Sequence, residues 1–264
     1  MHENPEFLKA ILDAHGGLLT WQKVESINIK FNLSGALLRI KGYPGHYVVT
    51  AVVDARKQQT ILQGIGNTQN RLIYTPSETT VVQNGGEGNQ PEEQSTISAR
   101  RDPRLSFDSR TRTTLWDEHH VTYFFGYAFW YYMTLPFCFT LPGFQTREVD
   151  IYEELAERWR VLEVTFPDYI TTHNKVQRFY FDDHFKLRRM DYVAEVVGDG
   201  TVKHYVYDYQ VTQGLSFPMF RRVWSFSPAV TSFLIDIFEL EVKFSDGEQM
   251  RNAKAASELS YGLV

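Results

Sequence analysis

Hydrophobic and polar positions change rhythm several times along the chain, and each change marks an element. Between residues 5 and 15, Phe7, Leu8, Ile11 and Leu12 recur at helical spacing. Asn4-Pro5 stands ahead of them as cap and first-turn pair, and Gly16-Gly17 stops the run, so the pattern predicts a short amphipathic helix over 5–15. From 24 to 83 the rhythm becomes one of short β-branched and aromatic segments, at 26–33, 37–41, 47–54, 59–63, 71–74 and 79–83. Gly, Pro and Asn separate them, which predicts a first meander of strands. Residues 84–112 keep neither period and are rich in Gly, Asn, Gln, Ser, Arg and Pro. They predict an exposed loop whose later part folds over the mouth of a cavity. A second strand set covers 158–244, with segments at 158–166, 175–182, 185–197, 201–210, 217–226 and 233–244, and residues 248–264 read as a loose tail or a marginal helix.

Between the two strand sets lies a stretch of 26 positions, 121–146, without a charged residue. That length is enough to span a bilayer as a helix. However, 10 of the residues in 121–141 are aromatic, Pro136 interrupts the run and no basic flank orients it. Lipid-facing helices are built mainly from Leu, Ile, Val and Ala. The expectation is therefore no transmembrane insertion, with weak interfacial contact as the nearest alternative. The better reading is a helix over 115–135, capped by Thr114, with Asp117 and Glu118 in its first turn and Pro136 setting its end. His120, Phe124, Tyr127 and Tyr131 share one face, while His119, Tyr123 and Trp130 lie nearer another. A helix apolar on every side must be buried on every side, and the concave face of a curved sheet is the simplest place. The fold class that follows is mainly β: a curved antiparallel sheet, or incomplete β-barrel, wrapped around a central aromatic helix, in one domain over 1–264.

Composition supports this and removes several functions. An aromatic fraction of 15% favours strands over a helical bundle. A net charge of −5, with Lys and Arg scattered instead of clustered, leaves no footprint for nucleic acid. Cys138 is the single cysteine and sits between Phe137 and Phe139, so it reads as a small buried hydrophobe. The polar, acidic start at residues 1–6 lacks the features of a secretory signal, which makes a cytoplasmic location the expectation.

Ala14-His15-Gly16-Gly17 at the end of the first helix, then Trp21, a run of strands, a central helix and a second run of strands make up most of the chain. This order of elements resembles the lipoprotein-carrier (LolA/LolB-like) half-barrel. The resemblance carries no catalytic motif. It implies an incomplete barrel closing over helices, an apolar cavity and carriage of acyl chains. The lack of an export signal or lipobox at this start points away from lipoprotein sorting. A cofactor-free enzyme of similar architecture implies that such a scaffold can also host chemistry on a flat aromatic substrate.

Strand alternation predicts which polar groups look inward, because positions two apart share a face. It places Gln177, Phe179 and Phe181 inside, then Met190, Tyr192 and Ala194, then His204, Val206 and Asp208, then Phe220, Arg222 and Trp224. A histidine oriented by a carboxylate is the usual general base, which singles out His204 with Asp208 and a neighbouring Tyr192. Asp117-Glu118-His119-His120 is the densest ionisable cluster, and Asp117 and His120 are its candidate acid and base. Its adjacent histidines lack the spacing that grips a metal from a helix. His173 is a third candidate and reads as a loop histidine, Arg100-Arg101-Asp102-Pro103-Arg104 as a solvated loop able to attract an anionic head group, and Asp182-Asp183 as a hairpin turn. No phosphate loop, dinucleotide fingerprint or nucleophile elbow occurs, so neither cofactor nor metal is expected. The expected function is binding of an apolar or aromatic small molecule, walled by Phe124, Tyr127, Tyr131, Tyr192 and Trp224 and anchored by His204 or Arg222. The alternative is a cofactor-independent isomerase, cyclase or lyase using His120, His204, Asp117, Asp208 and Tyr192.

Overall fold

The computed structural model describes residues 3–67, 69–83, 95–108, 113–198, 200–225 and 231–245. After the helices α1 (Pro5–Ala14) and α2 (Leu18–Trp21) the chain enters β1 (Val24–Gly35). A helical turn α3 (Ala36–Ile40) leads to β2 (His46–Asp54), β3 (Thr60–Gln63), β4 (Arg71–Tyr74), β5 (Glu78–Val82) and β6 (Thr96–Arg101). The long helix α4 (Glu118–Thr134) then carries the chain to β7 (Gln145–Glu154), β8 (Glu157–Thr165), β9 (Val176–Phe181), β10 (Leu187–Val193), β11 (Thr201–Thr212), β12 (Leu215–Ser225) and β13 (Thr231–Phe244). Single 3-10 turns occupy Ile65–Asn67, Pro103–Phe107 and Phe137–Thr140.

All 13 strands form one sheet in the order β6-β5-β4-β3-β2-β1-β13-β12-β11-β10-β9-β8-β7. Each neighbouring pair is antiparallel, and the edges β6 and β7 do not pair with each other, so the barrel stays incomplete. The first half of the chain thus runs outward from the centre, and the second half starts at the opposite edge and works back to meet it. β1 and β13 meet from Val24↔Phe244 to Gly35↔Phe233. In β2 the expected alternation is plain, with Tyr47, Val49, Ala51 and Val53 buried and the residues between them turned outward.

α4 lies against both halves of the sheet. It is about 26 Å long at 1.5 Å per residue, and every residue from His119 to Thr134 is buried. Toward the first half, Gly126 O accepts from Thr60 Oγ1 at 2.9 Å, and Trp130 Nε1 donates to Asp54 O at 3.0 Å. Toward the second, Tyr131 OH donates to Gln177 Oε1 at 2.8 Å. The two walls close on the helix so fully that Gly126 rests on the Tyr74 ring, where a Cβ would stand 2.3 Å from Tyr74 Cβ. α1 covers one end of the second wall, with Phe7 edge-on to Phe181 at 6.0 Å and the Arg160 guanidinium 3.8 Å from the Phe7 ring centre.

Four elements differ from the sequence expectation. Of the expected strand 37–41, residues 37–40 form helix, because Gly35 at φ 144° breaks β1 and lets Leu37 and Leu38 both turn into the core. α4 starts one turn later than expected, with Asp117 and not Thr114 as its cap. Within the expected loop 84–112, residues 96–101 are the edge strand β6 and 103–107 a 3-10 turn, whose Phe107 packs edge-on against Trp116 at 5.9 Å. The charged segment 145–154 is the other edge strand, β7. The expected tail 248–264 lies outside the described residues. No described helix is long and apolar enough to cross a membrane.

Candidate functional site

The polar side chains that α4 presents to the second wall join with those of the wall in one buried network. α4 supplies Tyr127, Tyr131 and Tyr132; the connection between β8 and β9 supplies His173; β10 supplies Tyr192, β11 supplies His204 and β12 supplies Arg221. Tyr127 OH lies 3.0 Å from His173 Nδ1, and His173 Nε2 lies 3.0 Å from Tyr132 OH. Tyr132 OH is 3.2 Å from Tyr192 OH, which is 3.3 Å from His204 Nδ1. His204 Nε2 faces Arg221 Nη1 at 3.5 Å, and Arg221 Nη2 donates to Tyr132 O at 3.1 Å. The His173 and Tyr192 rings stack at 4.0 Å and 2°, which fixes both imidazole nitrogens toward their phenols.

Arg221 gives this network a direction. A guanidinium only donates, so His204 Nε2 accepts and its Nδ1–H donates to Tyr192. Tyr192 then donates to Tyr132, Tyr132 to His173 Nε2, and His173 Nδ1–H to Tyr127. Burial pushes His173 down to about 3 and His204 well below the usual imidazole range, with nearby Arg104 and Arg221 respectively adding to the effect, so both rings are neutral. Burial likewise pushes the Tyr127, Tyr131 and Tyr192 hydroxyls well above the usual phenol range. Chemically the array is a string of neutral, oriented hydroxyl and imidazole groups. It can orient a polar guest and exchange protons along its length.

The residues expected from sequence fall into three groups. Tyr127, Tyr131, Tyr192 and His204 come together in the network, and Phe124 packs beside it, with its ring 5.8 Å from His173. Asp117 and His120 sit at the other end of α4 in a reciprocal cap: His120 N donates to Asp117 Oδ1 at 3.0 Å, and Asp117 N donates to His120 Nδ1 at 3.2 Å. Partial burial pushes the Asp117 carboxyl up, but hydrogen bonds from His120 and Arg100 outweigh it and hold the group well below the usual carboxylate range. Asp208, Arg222 and Trp224 are not on the concave face. Asp208, at φ 56°, is exposed, and Tyr209 beside it packs inward with its ring edge-on to His15 at 5.9 Å. β12 runs in the opposite phase to the one expected, so Arg221 and Val223 face in, while Arg222 is exposed with its guanidinium 5.9 Å from the Trp224 ring.

Tyr132 and Arg221 belong to the site but were not among the expected residues, and His173, the third candidate, is buried within it instead of lying on an open loop. Tyr132 was hidden in an all-aromatic run, and Arg221 by the one-residue phase ambiguity of β12. His173 follows Thr171-Thr172 in a segment with no period, and nothing local in the sequence shows that it is buried.

Beside Arg221 a void of about 10 Å³ opens between the end of α4 and the β9–β12 wall, lined by Leu135, Phe139, Phe179, Phe181, Leu187, Tyr209 and His15 among others. Larger concavities among the described residues include an open surface groove of about 580 Å³ along β7–β9 lined by Arg147, Glu148, Asp150 and Arg178. Among the described residues no group of His, Cys, Asp and Glu is arranged to hold a metal ion.

No protein-family model matches the sequence, and no curated protein matches it. Among solved structures, a LolA superfamily protein from Nitrosomonas europaea superposes with a TM-score of 0.52 at 9% identity, over 92% of this chain and 95% of that one. A putative outer membrane lipoprotein-sorting protein domain from Vibrio parahaemolyticus gives a TM-score of 0.47 at 8% identity, over 94% and 96%. A DUF1329 family protein from Desulfovibrio piger also gives 0.47, at 9% identity, over 92% and 93%. The Nitrosomonas likeness is one of fold: the chain has a LolA-like fold.

Proposed function

From the LolA-like half-barrel as premise, we propose that this protein binds an apolar or aromatic small molecule in the seam between α4 and the β9–β12 wall. The make-up of that seam carries the reading. Phe139, Phe179, Phe181 and Leu187 give it apolar walls, and Tyr132, Tyr209, His15 and Arg221 supply a few fixed polar atoms. Small-molecule sites use that same mixture. The void holds no more than a single water, so a guest enters by displacing protein atoms. The outer border of the seam is the end of α1, which reaches it through His15, and displacement there disturbs the sheet least.

Extraction of the purified protein with organic solvent, followed by mass spectrometry, looks for a guest carried through purification. Thermal unfolding with added aliphatic and aromatic probes looks for one that binds afterwards. At a probe concentration of 100 Kd the stabilisation is about 2.7 kcal/mol, which raises Tm by roughly 5–10 °C in a chain of this size. An empty extract together with an unmoved Tm across both probe classes would sink the reading.

The second reading is cofactor-independent acid–base chemistry on such a guest. The continuous string from Arg221 to Tyr127 favours it, since two neutral imidazoles and three phenols stand in relay. Under that reading His204→Gln and Tyr192→Phe abolish turnover of a bound substrate while leaving its affinity within a few fold. Unchanged turnover in both variants excludes these residues.

A further inference from the structure

Arg221 is wholly buried, and no carboxylate of the described residues faces it. The groups that feel its charge are the phenols Tyr132, Tyr209, Tyr131 and Tyr192. Among the described residues it has no carboxylate within ion-pair distance, its Nε–H has no partner, and it lines the void beside the end of α4. A buried cation of this kind is costly, several kcal/mol even after relaxation.

Arg189 supplies the comparison. It is also buried, on the other face of the sheet, yet Glu154 accepts from its Nη1 at 2.5 Å and Asp191 accepts from its Nε and Nη2 at 2.7 and 2.8 Å. The rings of Tyr152 and Tyr180 stand 4.5 and 4.2 Å from its guanidinium. Arg189 is thus fully compensated from within the chain. Among the described residues Arg221 has only neutral partners, the Tyr132 carbonyl at 3.1 Å and the Tyr132 ring 4.9 Å from its guanidinium, and its unpartnered Nε–H belongs to a side chain that lines the void.

We infer that Arg221 anchors a carboxylate carried by the apolar guest, so that the ligand is an amphipathic monocarboxylate lying with its head at β12 and its tail between Phe139, Phe179, Phe181 and Leu187. This rests on the binding reading above and narrows it. One cation without other positive charge beside it matches one negative charge, and a planar carboxylate fits the fork of a guanidinium with two parallel hydrogen bonds. A phosphate monoester brings a second charge and a third oxygen that no described donor awaits.

The test compares matched probes on the full-length protein by titration calorimetry: oleate against oleyl alcohol, and 1-naphthaleneacetate against 2-(1-naphthyl)ethanol, with oleyl phosphate as a third head group. In whichever pair binds, the acid is expected to bind at least tenfold more tightly than the alcohol and more tightly than the phosphate. The gap is expected to close in Arg221→Met and to survive in part in Arg221→Lys. Acid and alcohol binding within threefold would overturn the carboxylate anchor while the apolar site stands. A gap that persists in Arg221→Met overturns it too, and tighter binding of oleyl phosphate reassigns the head group. If no member of either pair binds, the binding reading falls with it. Should the variants not fold, the Nε–H resonance of Arg221 in ¹⁵N-labelled wild type answers the same question. It shifts downfield when the binding acid is added, and an unmoved resonance overturns the inference.

Discussion

His15, His173 and His204 are each buried and each kept neutral. Burial lowers His15 to about 4 and His173 to about 3, and takes His204 well below the usual range. In the unfolded chain these rings take up protons near pH 6.5, so below that value the unfolded state binds more protons than the folded one. The stabilisation is complete above about pH 6.5 and is lost as pH falls toward the folded values. Each such histidine steepens the decline by up to about 1.4 kcal/mol per pH unit. His173→Gln is expected to flatten the decline by about that amount between pH 6 and pH 5, read from urea midpoints; superimposable slopes would refute it. At Arg221 the same reasoning predicts a gain: Arg221→Met removes an uncompensated charge and is expected to stabilise the ligand-free protein by about 1–2 kcal/mol, whereas a loss of that size in urea unfolding would show the guanidinium to be satisfied. Side-chain direction was the least legible property in the sequence. Period-2 alternation placed Phe179, Phe181, Tyr192 and His204 inward as observed, because β9, β10 and β11 are regular at those positions. It failed at Asp208, where a backbone φ of 56° changes which residues face inward although the pairing with β12 stays in register. It failed again along β12, where Phe220, Arg221 and Arg222 offer apolar and charged residues to either face, so the pattern alone does not choose between them.

At the scale of elements, α4 was legible because an uncharged, aromatic-rich stretch of 26 positions interrupted by Pro136 admits few other solutions. Its start was misplaced by one turn because both Thr114 and Asp117 are capping residues, and the choice fell to the tertiary partner: Arg100 of β6 grips Asp117 with contacts of 3.2 and 2.6 Å. The edge strands escaped notice for a related reason. β6 buries almost nothing and β7 carries Arg147, Glu148, Asp150, Glu153 and Glu154, the charge load by which edges avoid pairing with other chains. Neither therefore has the apolar alternation that announces a strand. The stretch 37–41 failed in the opposite way, since a short apolar run fits helix and strand alike. The seating of α4 gives a sharp prediction at Gly126. Alanine there gains about 1 kcal/mol of helix propensity, but its methyl would collide with Tyr74 Cβ and Cγ, each 2.3 Å away. Overpacking of this kind costs more than the gain, and Gly126→Ala is expected to lose about 1–3 kcal/mol net in urea unfolding. Unchanged or higher stability would mean that helix and sheet are not in contact there.

For the molecule as a whole, the sequence showed two strand sets around one helix but not how they join. Order along a chain does not reveal that the first and last described strands are neighbours. That adjacency governs how the protein comes to be made. β1 and β13 form the middle of the sheet, yet nearly the whole described chain separates them. During synthesis β1 offers an open edge until residues 231–244 have left the ribosome, and no partial product completes the sheet. Contacts so distant in sequence are slow to form, on the scale of milliseconds to seconds even in small domains, and intermediates with open edges aggregate. Refolding by dilution from urea is therefore expected to be slow and to lose yield steeply as protein concentration rises. Fast refolding independent of concentration would mean that the two halves assemble separately. Until β13 emerges, a nascent chain of this topology carries an unfinished sheet with β1 as a bare edge, the kind of surface that strand-shielding factors would cover.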